Sequence, residues 1–384
     1  MDCQMIGIVL TVAFGALLVH PFVTYPMGIL LVRTLAGRRE IAVSRPTEPF
    51  SIAICCCAYN EQAVIEEKVK NLLALKRRYR NLEIHMYVDG SSDRTAEILI
   101  PYREHINLVV SQQRRGKSEG MNTLVARTAA DIIVFTDANV MMRADSLENV
   151  AKYFKDPDVG CVCGHLQYTN ASASGTASTG AAYWRFEEWL KQIETDTGST
   201  ISADGSLFAI RRELHIRVPE DIIDDMFLSL NVLFAGFRVV RGADVVAYER
   251  GATSGKEEFQ RKVRIACQAF NIHRRLWHRL KRLSWWNLYK YVSHKLLRWF
   301  GLCSFAGMMA GIVLLAFSLG VGRELLAIGL FVTSILLFGA AVEQRFAVRV
   351  VTVSAAFLAT GLGIYQSLRG RRFRTWTPAT SVRA

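Results

Sequence analysis

Residues Ser51–Asp93 read SIAICCCAYNEQAVIEEKVKNLLALKRRYRNLEIHMYVDGSSD, and the change of pattern along them decides the fold class. SIAICCCAY is an unbroken apolar run of strand length. EQAVIEEKVKNLLAL then sets Ile65, Val69, Leu72 and Leu73 on one helical side, and EIHMYV is a second apolar run. The alternation continues: SDRTAEILI is amphipathic, NLVVS and DIIVFT are short strands, and KSEGMNTLVART is a helix between them. Such a sequence predicts an α/β domain, a mostly parallel sheet with helices on its faces. Ligands of open sheets bind beyond the carboxyl ends of the strands. Asn60 and Glu61 lie at one such end, Asp89 and Asp93 at another, and Asp137 with Asn139 at a third.

On either side of this domain the composition changes. The 384-residue chain has a mean hydropathy of +0.18, and its apolar residues concentrate in Met5–Val32 and most of Phe300–Leu368. The first stretch is long enough to cross a bilayer core of roughly 30 Å, with Pro21 and Pro26 expected to kink or tilt it. It lacks the basic start, short apolar core and small-residue cleavage site of a signal peptide. Arg33, Arg38 and Arg39 follow it and Met1–Gln4 holds no Lys or Arg, which places the next domain in the cytosol. Three further spans are expected, at 300–321, 325–342 and 346–368. Three crossings from the cytosol would leave the tail RGRRFR outside, against the same charge rule. Either one segment does not cross fully or the rule fails there.

The expected division is therefore a transmembrane helix at 1–33, a cytosolic domain at 34–270, a basic aromatic segment at 271–299, about three transmembrane helices at 300–368, and a basic tail at 369–384. Much of the net charge of +13 falls between His273 and Arg298 among Trp277, Trp285, Trp286, Tyr289 and Tyr291. Basic and aromatic residues just before a span fit an anionic lipid surface, and no nucleic-acid module accompanies them. Cys55, Cys56 and Cys57 are consecutive on a strand, so their thiols alternate between faces and cannot converge on a metal. The spans carry almost no internal charge, which argues against a transporter.

The carboxylates suggest chemistry. Asp137, Ala138 and Asn139 present an acid and an amide across a small spacer, oxygen ligands suited to Mg²⁺ or Mn²⁺ with diphosphate completing the shell. Asp89 is placed to accept from a nucleobase or ribose beside the small Gly90. Gly116 and Lys117 set a flexible turn and a cation for phosphate. Asp224 and Asp225 open an apolar helix, where adjacent acids have separated pKa values and one is left to accept a proton. Arg261 and Arg264 share a helix face and suit a departing diphosphate. Each of these groups has a plainer use as a cap or helix-dipole partner. Their order in the chain outweighs it.

In that order the pieces resemble glycosyltransferase family 2, in its cellulose-synthase-like membrane branch, over roughly Pro49–Ala269. The matching residues are Tyr59, Asn60 and Glu61; Asp89, Gly90, Ser91, Ser92, Asp93 and Thr95; Gly116, Lys117 and Asn122; Asp137 to Asn139; GSLFAIRRE from Gly205; and Asp224 with Asp225. The resemblance implies the GT-A fold, Rossmann-like, with transmembrane helices, and an inverting transfer of sugar from a UDP- or GDP-linked donor. It assigns the donor to Tyr59, Asn60, Glu61, Asp89, Lys117, Asp137 and Arg264, the metal to Asp137 and Asn139, the acceptor side to Gly205 and Asp224, and the base to Asp225. The acceptor would be lipid-linked or a glycan, in cell-surface polysaccharide synthesis at the inner (plasma) membrane. The chain departs from the family at Asn139, where the second metal-site Asp is expected, at Asp224 for Glu, and at Ile265, where processive members carry Trp after Arg264. A processive synthase coupled to secretion and an inactive scaffold are the alternatives.

Overall fold

The computed structural model describes residues 2–43, 49–342 and 344–383. Its soluble part is built on one sheet whose strands are β1 Ile52–Ala58, β2 Leu82–Asp89, β3 Asn107–Ser111, β4 Ile132–Asp137, β5 Met141–Met142, β6 Val159–Tyr168, β7 Leu207–Arg211 and β8 Arg238–Glu249. They lie in the order β3-β2-β1-β4-β7-β6-β8-β5. The half made of β3, β2, β1 and β4 is parallel throughout, as the alternating pattern predicts. Beyond β4 the sheet is mixed, because β7 runs antiparallel to both β4 and β6, and β5 runs antiparallel to β8. GSLFAIRRE, read from the sequence as an acceptor-side loop, is thus largely a strand, with Gly205 just ahead of it.

β1 is buried along its whole length because helices cover both faces, which is why it carries no polar alternation. Ile65, Val69 and Leu72 of the helix Ile65–Arg78 pack on one face with Ile54, Cys56 and Ala58. Phe135 stacks on Phe208 at 4.8 Å on the other, in the layer that holds Met226, Phe227 and Leu230. The helix bearing Asp224 and Asp225 is thereby fixed against the centre of the sheet.

The N-terminal apolar stretch is bent near Pro21 and Pro26, as expected, and is followed by three more apolar helices. Residues 3–36 form two helices, Cys3–Val19 and Thr24–Ala36, bent by 54°. The second docks on the soluble domain: Tyr25 and Ile29 are fully buried, the Tyr25 hydroxyl donates to Glu194 at 2.6 Å, and Arg33 pairs with Asp196 at 2.7 Å. The first packs on the helix Gly301–Ser318 through facing small residues; a Cβ on Gly311 would lie 2.6 Å from the Thr11 amide nitrogen.

Three helices are long and apolar enough to cross a membrane, Gly301–Ser318, Gly322–Ala341 and Phe346–Leu368, and the bent pair would add a fourth. The last of the three is a special case. Near its start Val348 meets Gly175, and near its end Gly363 sits against Val263, Ala266 and Cys267, all on helices of the soluble domain; between them Phe357 meets Gly301. At its far end Arg274 donates to the Ser367 carbonyl at 2.6 Å. This helix therefore touches the soluble domain at both ends.

The expected boundary at 270 falls inside a continuous helix, Gly255–Leu280. The basic aromatic segment that follows is divided: Trp285 is exposed, but Lys290, Tyr291, Ser293 and His294 are buried, and His294 bonds Glu194 at 2.7 Å. This segment grips the domain as well as facing outward.

Candidate active site

The carboxyl ends of β1, β2 and β4 bring the predicted loops to one edge. Asn60 takes a left-handed conformation, φ 52°, and its side chain accepts from the Ser92 amide at 2.9 Å while its own amide group donates to the Ser92 hydroxyl at 3.2 Å. Asp93 accepts from the Gln62 amide at 3.0 Å. The Tyr-Asn-Glu turn and the Asp-Gly-Ser-Ser-Asp turn are thus one cross-braced unit.

Asp89 is fully buried, and its two oxygens accept from the backbone of Arg115 at 2.7 Å and Gly116 at 2.9 Å. Here it shapes the loop carrying Arg114 and Lys117. The reason is geometric: β2 ends beside β3, so the loop after β3 closes over it.

Lys117 joins the other acids. Its ammonium lies 2.8 Å from Asp137 and 3.5 Å from Asp224. Burial disfavours its charge, but Asp137 and Asp224 more than restore it and hold its pKa above the ordinary lysine value. Gly205 fits between Asp225 and Lys117; a Cβ there would lie 3.2 Å from Asp225 Oδ2 and 3.4 Å from the Lys117 nitrogen. Asp225, Asp224, Lys117, Asp137 and Gly205 form one constellation. Asp225 has its carboxyl pushed up to about 7, first by burial and then by Asp224, with Lys117 opposing. Asp224 Oδ2 is buried and accepts no hydrogen bond.

Asn122 fixes this constellation from behind, since its side chain both donates to the Val218 carbonyl, at 2.8 Å, and accepts from the Val218 amide, at 2.9 Å. Arg264 is half-buried and donates to Gln268 at 3.2 Å; burial and neighbouring Arg261 lower its pKa to about 10, against the pull of Asp137, Asp224 and Asp225. Arg261 instead pairs with Glu258 at 2.9 Å.

Several participants escaped the sequence reading. Lys68, fully buried, donates to the Thr136 hydroxyl at 3.0 Å and to the Val140 carbonyl, so it underpins the Asp137–Asn139 turn. Its signal was available: Ile65, Lys68, Val69 and Leu72 follow core-helix spacing, and a Lys there needs a partner. Asn139 donates to Glu249 at 2.9 Å, and Asp204 pairs with Lys191 at 3.0 Å.

The basic tail is the largest surprise. Arg383 clamps Glu61 with two donors, Arg114 lies 3.6 Å over the Tyr59 ring and donates to the Trp376 carbonyl, and the Trp376 ring meets Tyr59 edge-on at 6.0 Å. Gly116, at φ 95°, has the Arg374 carbonyl so near that any Cβ would collide with it. Tyr59 and Glu61, both expected at the donor, are covered by this tail.

A half-parallel, half-mixed sheet that gathers an acid–amide turn, a lysine and an acid pair at its carboxyl edge is the arrangement of the GT-A fold. Residues 53–218 match the model of the family described as glycosyl transferase family 2. Among the chain's relatives is poly-beta-1,6-N-acetyl-D-glucosamine synthase of Staphylococcus aureus, 27% identical over 195 residues, 49% of this chain and 47% of that one. Another is beta-monoglucosyldiacylglycerol synthase of a Nostoc species, 28% identical over 194 residues, 49% of this chain and 41% of that one. The chain thus spans about half the length of the curated relatives it matches. A mannosyltransferase of Pyrobaculum calidifontis, solved with GDP-Man and Mn²⁺, shares the fold at 21% identity with a TM-score of 0.72, covering 97% of this chain and 100% of that one.

Proposed function

We propose that this membrane glycosyltransferase passes one sugar from a UDP- or GDP-linked donor to a membrane-held acceptor, lipid-linked or glycan, by inverting displacement. The observation that carries the reading is the meeting of Lys117 with Asp137, Asp224 and Asp225 around Gly205. Asp225, with a pKa near neutrality, takes the proton of the attacking hydroxyl. Lys117, released from Asp137, and Arg264 neutralise the departing diphosphate.

A divalent cation fits the residues present. Among the described residues no three His, Cys, Asp or Glu side chains form a cage for an ion, and a cation that borrows diphosphate oxygens needs none. Asp137 and the Asn139 amide would hold it, and Asp224, whose Oδ2 faces Lys117 at 3.5 Å, adds negative charge nearby. Mg²⁺ or Mn²⁺ bound there would screen the charge that develops on the leaving group.

The tail also supports an arrangement in the plasma membrane. Phe373 accepts from Gln268 at 2.9 Å, so residues before and after the C-terminal helices lie on one side. That requires an even number of crossings. We place the hairpin of Gly301–Ser318 and Gly322–Ala341 across the bilayer, beside Cys3–Val19, and the helix Arg345–Leu368 in the membrane plane against the domain. RGRRFR then stays cytosolic, as the charge rule asks. Ile265 offers no aromatic platform for an acceptor chain, which favours single addition over processive synthesis.

Purified membranes given labelled nucleotide-sugars with Mn²⁺ should yield one-sugar products. Asp137→Ala and Asp225→Asn should abolish them while the protein stays folded. Long polymer would overturn single addition, full activity in chelator would overturn the cation, and retained transfer by either variant would remove that residue's role.

A further inference from the structure

We infer that Glu249 is a positioning residue for the metal-binding turn, holding the Asn139 side chain so that its amide oxygen is the atom offered to a divalent cation. The inference rests on the metal-dependent transfer proposed above and deepens it. A carboxamide has one donor end and one acceptor end, and a cation takes only the oxygen. Where the family pattern has Asp, either carboxylate oxygen serves; with Asn, a half-turn of the amide would present an NH₂ group and repel the ion. Something must therefore choose the rotamer.

Glu249 makes that choice by accepting from Asn139 Nδ2 at 2.9 Å through Oε1. With the nitrogen committed to Glu249, the oxygen faces the other way. The bond is a product of strand register: β5 pairs with β8 through Met141 with Tyr248 and Met142 with Ala247, which carries Asn139 alongside the end of β8. Glu249 is itself pinned, because its carbonyl accepts from the Thr169 amide at 2.9 Å where β6 ends. Its backbone is thus tied between two neighbours, and its side chain has a fixed origin. Glu249 does not touch the cation in this scheme; it acts through Asn139.

The test is Mn²⁺ binding to the purified full chain in detergent, read from the electron paramagnetic resonance of free Mn²⁺, with saturating UDP and in parallel with GDP. Glu249→Gln keeps an acceptor oxygen and should bind Mn²⁺ like the parent, whereas Glu249→Met keeps the length, removes the acceptor and should weaken Mn²⁺ by about 10- to 100-fold, as loss of a ligand-orienting bond does. Equal Mn²⁺ affinity in all three proteins would overturn the inference. A second pair stands independently if Glu249→Met folds poorly. Asn139→Asp sets a new carboxylate at hydrogen-bond distance from Glu249, so it should tighten Mn²⁺ binding only when combined with Glu249→Gln. The same tightening in both backgrounds counts against it. Failure of the parent to bind Mn²⁺ with either nucleotide would instead remove the metal assignment itself, and this inference with it.

Discussion

Replacing Asp225 with Asn should make the protein more stable as it makes it inert, and the gain should depend on pH. The Asp225 carboxyl titrates near 7 in the folded chain against an ordinary value of 3.8, because burial and then Asp224 oppose its charge while Lys117 only partly offsets them. The folded state therefore holds this proton more tightly than the unfolded chain does. Stability from this group is complete below about pH 4, drains away as the pH rises toward 7, and is level above that. The span corresponds to about 4 kcal/mol at most, and on the order of 2 kcal/mol once partial exposure and coupling to Lys117 are allowed for. An amide cannot ionise, and its side-chain oxygen can still accept the bond that Asp225 takes from the Met226 amide. Melting of the detergent-purified proteins should show the parent falling behind the Asp225→Asn variant by several degrees at pH 8, with the gap shrinking at pH 5. In the parent, log(kcat/KM) should climb with pH to a bend near 7. A gap no larger at pH 8 than at pH 5 would refute the electrostatic reading, and a variant that still transfers sugar would refute the base assignment.

Lys68→Met should lower metal-dependent transfer by about tenfold or more with little change in melting temperature, since it frees the Asp137–Asn139 turn while keeping an apolar fit; kcat/KM against Mn²⁺ concentration checks this. Gly311→Val should force apart the helices Cys3–Val19 and Gly301–Ser318, costing about 1–3 kcal/mol as overpacking does, which a melting curve in detergent would record. Trp376→Ala should release the tail from Tyr59 and Arg114, so that trypsin cuts after Arg371, Arg372 or Arg374 several-fold faster than in the parent; an unchanged cleavage rate would mean that the ring does not hold the tail.

What the sequence made legible was local. The parallel half of the sheet follows from apolar runs separated by an amphipathic helix, and the loops at its carboxyl edge follow from their turn residues. Asp137, Asp224, Asp225 and Lys117 meet as their order in the chain implied. The mixed half was not legible, because β6, β7 and β8 are long-range pairings whose partners lie far apart in the chain, and a strand's direction leaves no mark on its own residues. Asp89 was legible as an acid at the sheet edge, but its two bonds to the backbone of Arg115 and Gly116 were not, since they come from a loop 26 and 27 residues away.

The tail shows the same limit and its remedy. Nothing in Trp376 or Arg383 names Tyr59 or Glu61, which are more than 300 residues earlier. The sequence did contain a contradiction, however: three apolar helices after a cytosolic domain would export a basic tail. The arrangement proposed above, in which the last helix does not cross, removes that contradiction and leaves the charge rule intact. The contacts of Val348 and Gly363 with the soluble domain supply the missing term, a helix as apolar as a span that lies against protein at both ends. Hydropathy reports how much a helix avoids water; it cannot report whether lipid or protein does the shielding. Labelling cysteines placed at positions 320 and 370 from each side of sealed vesicles decides it. Position 320 should react from outside and position 370 from the cytosolic face; reaction of position 370 from outside would restore three full crossings and detach the tail from the active site.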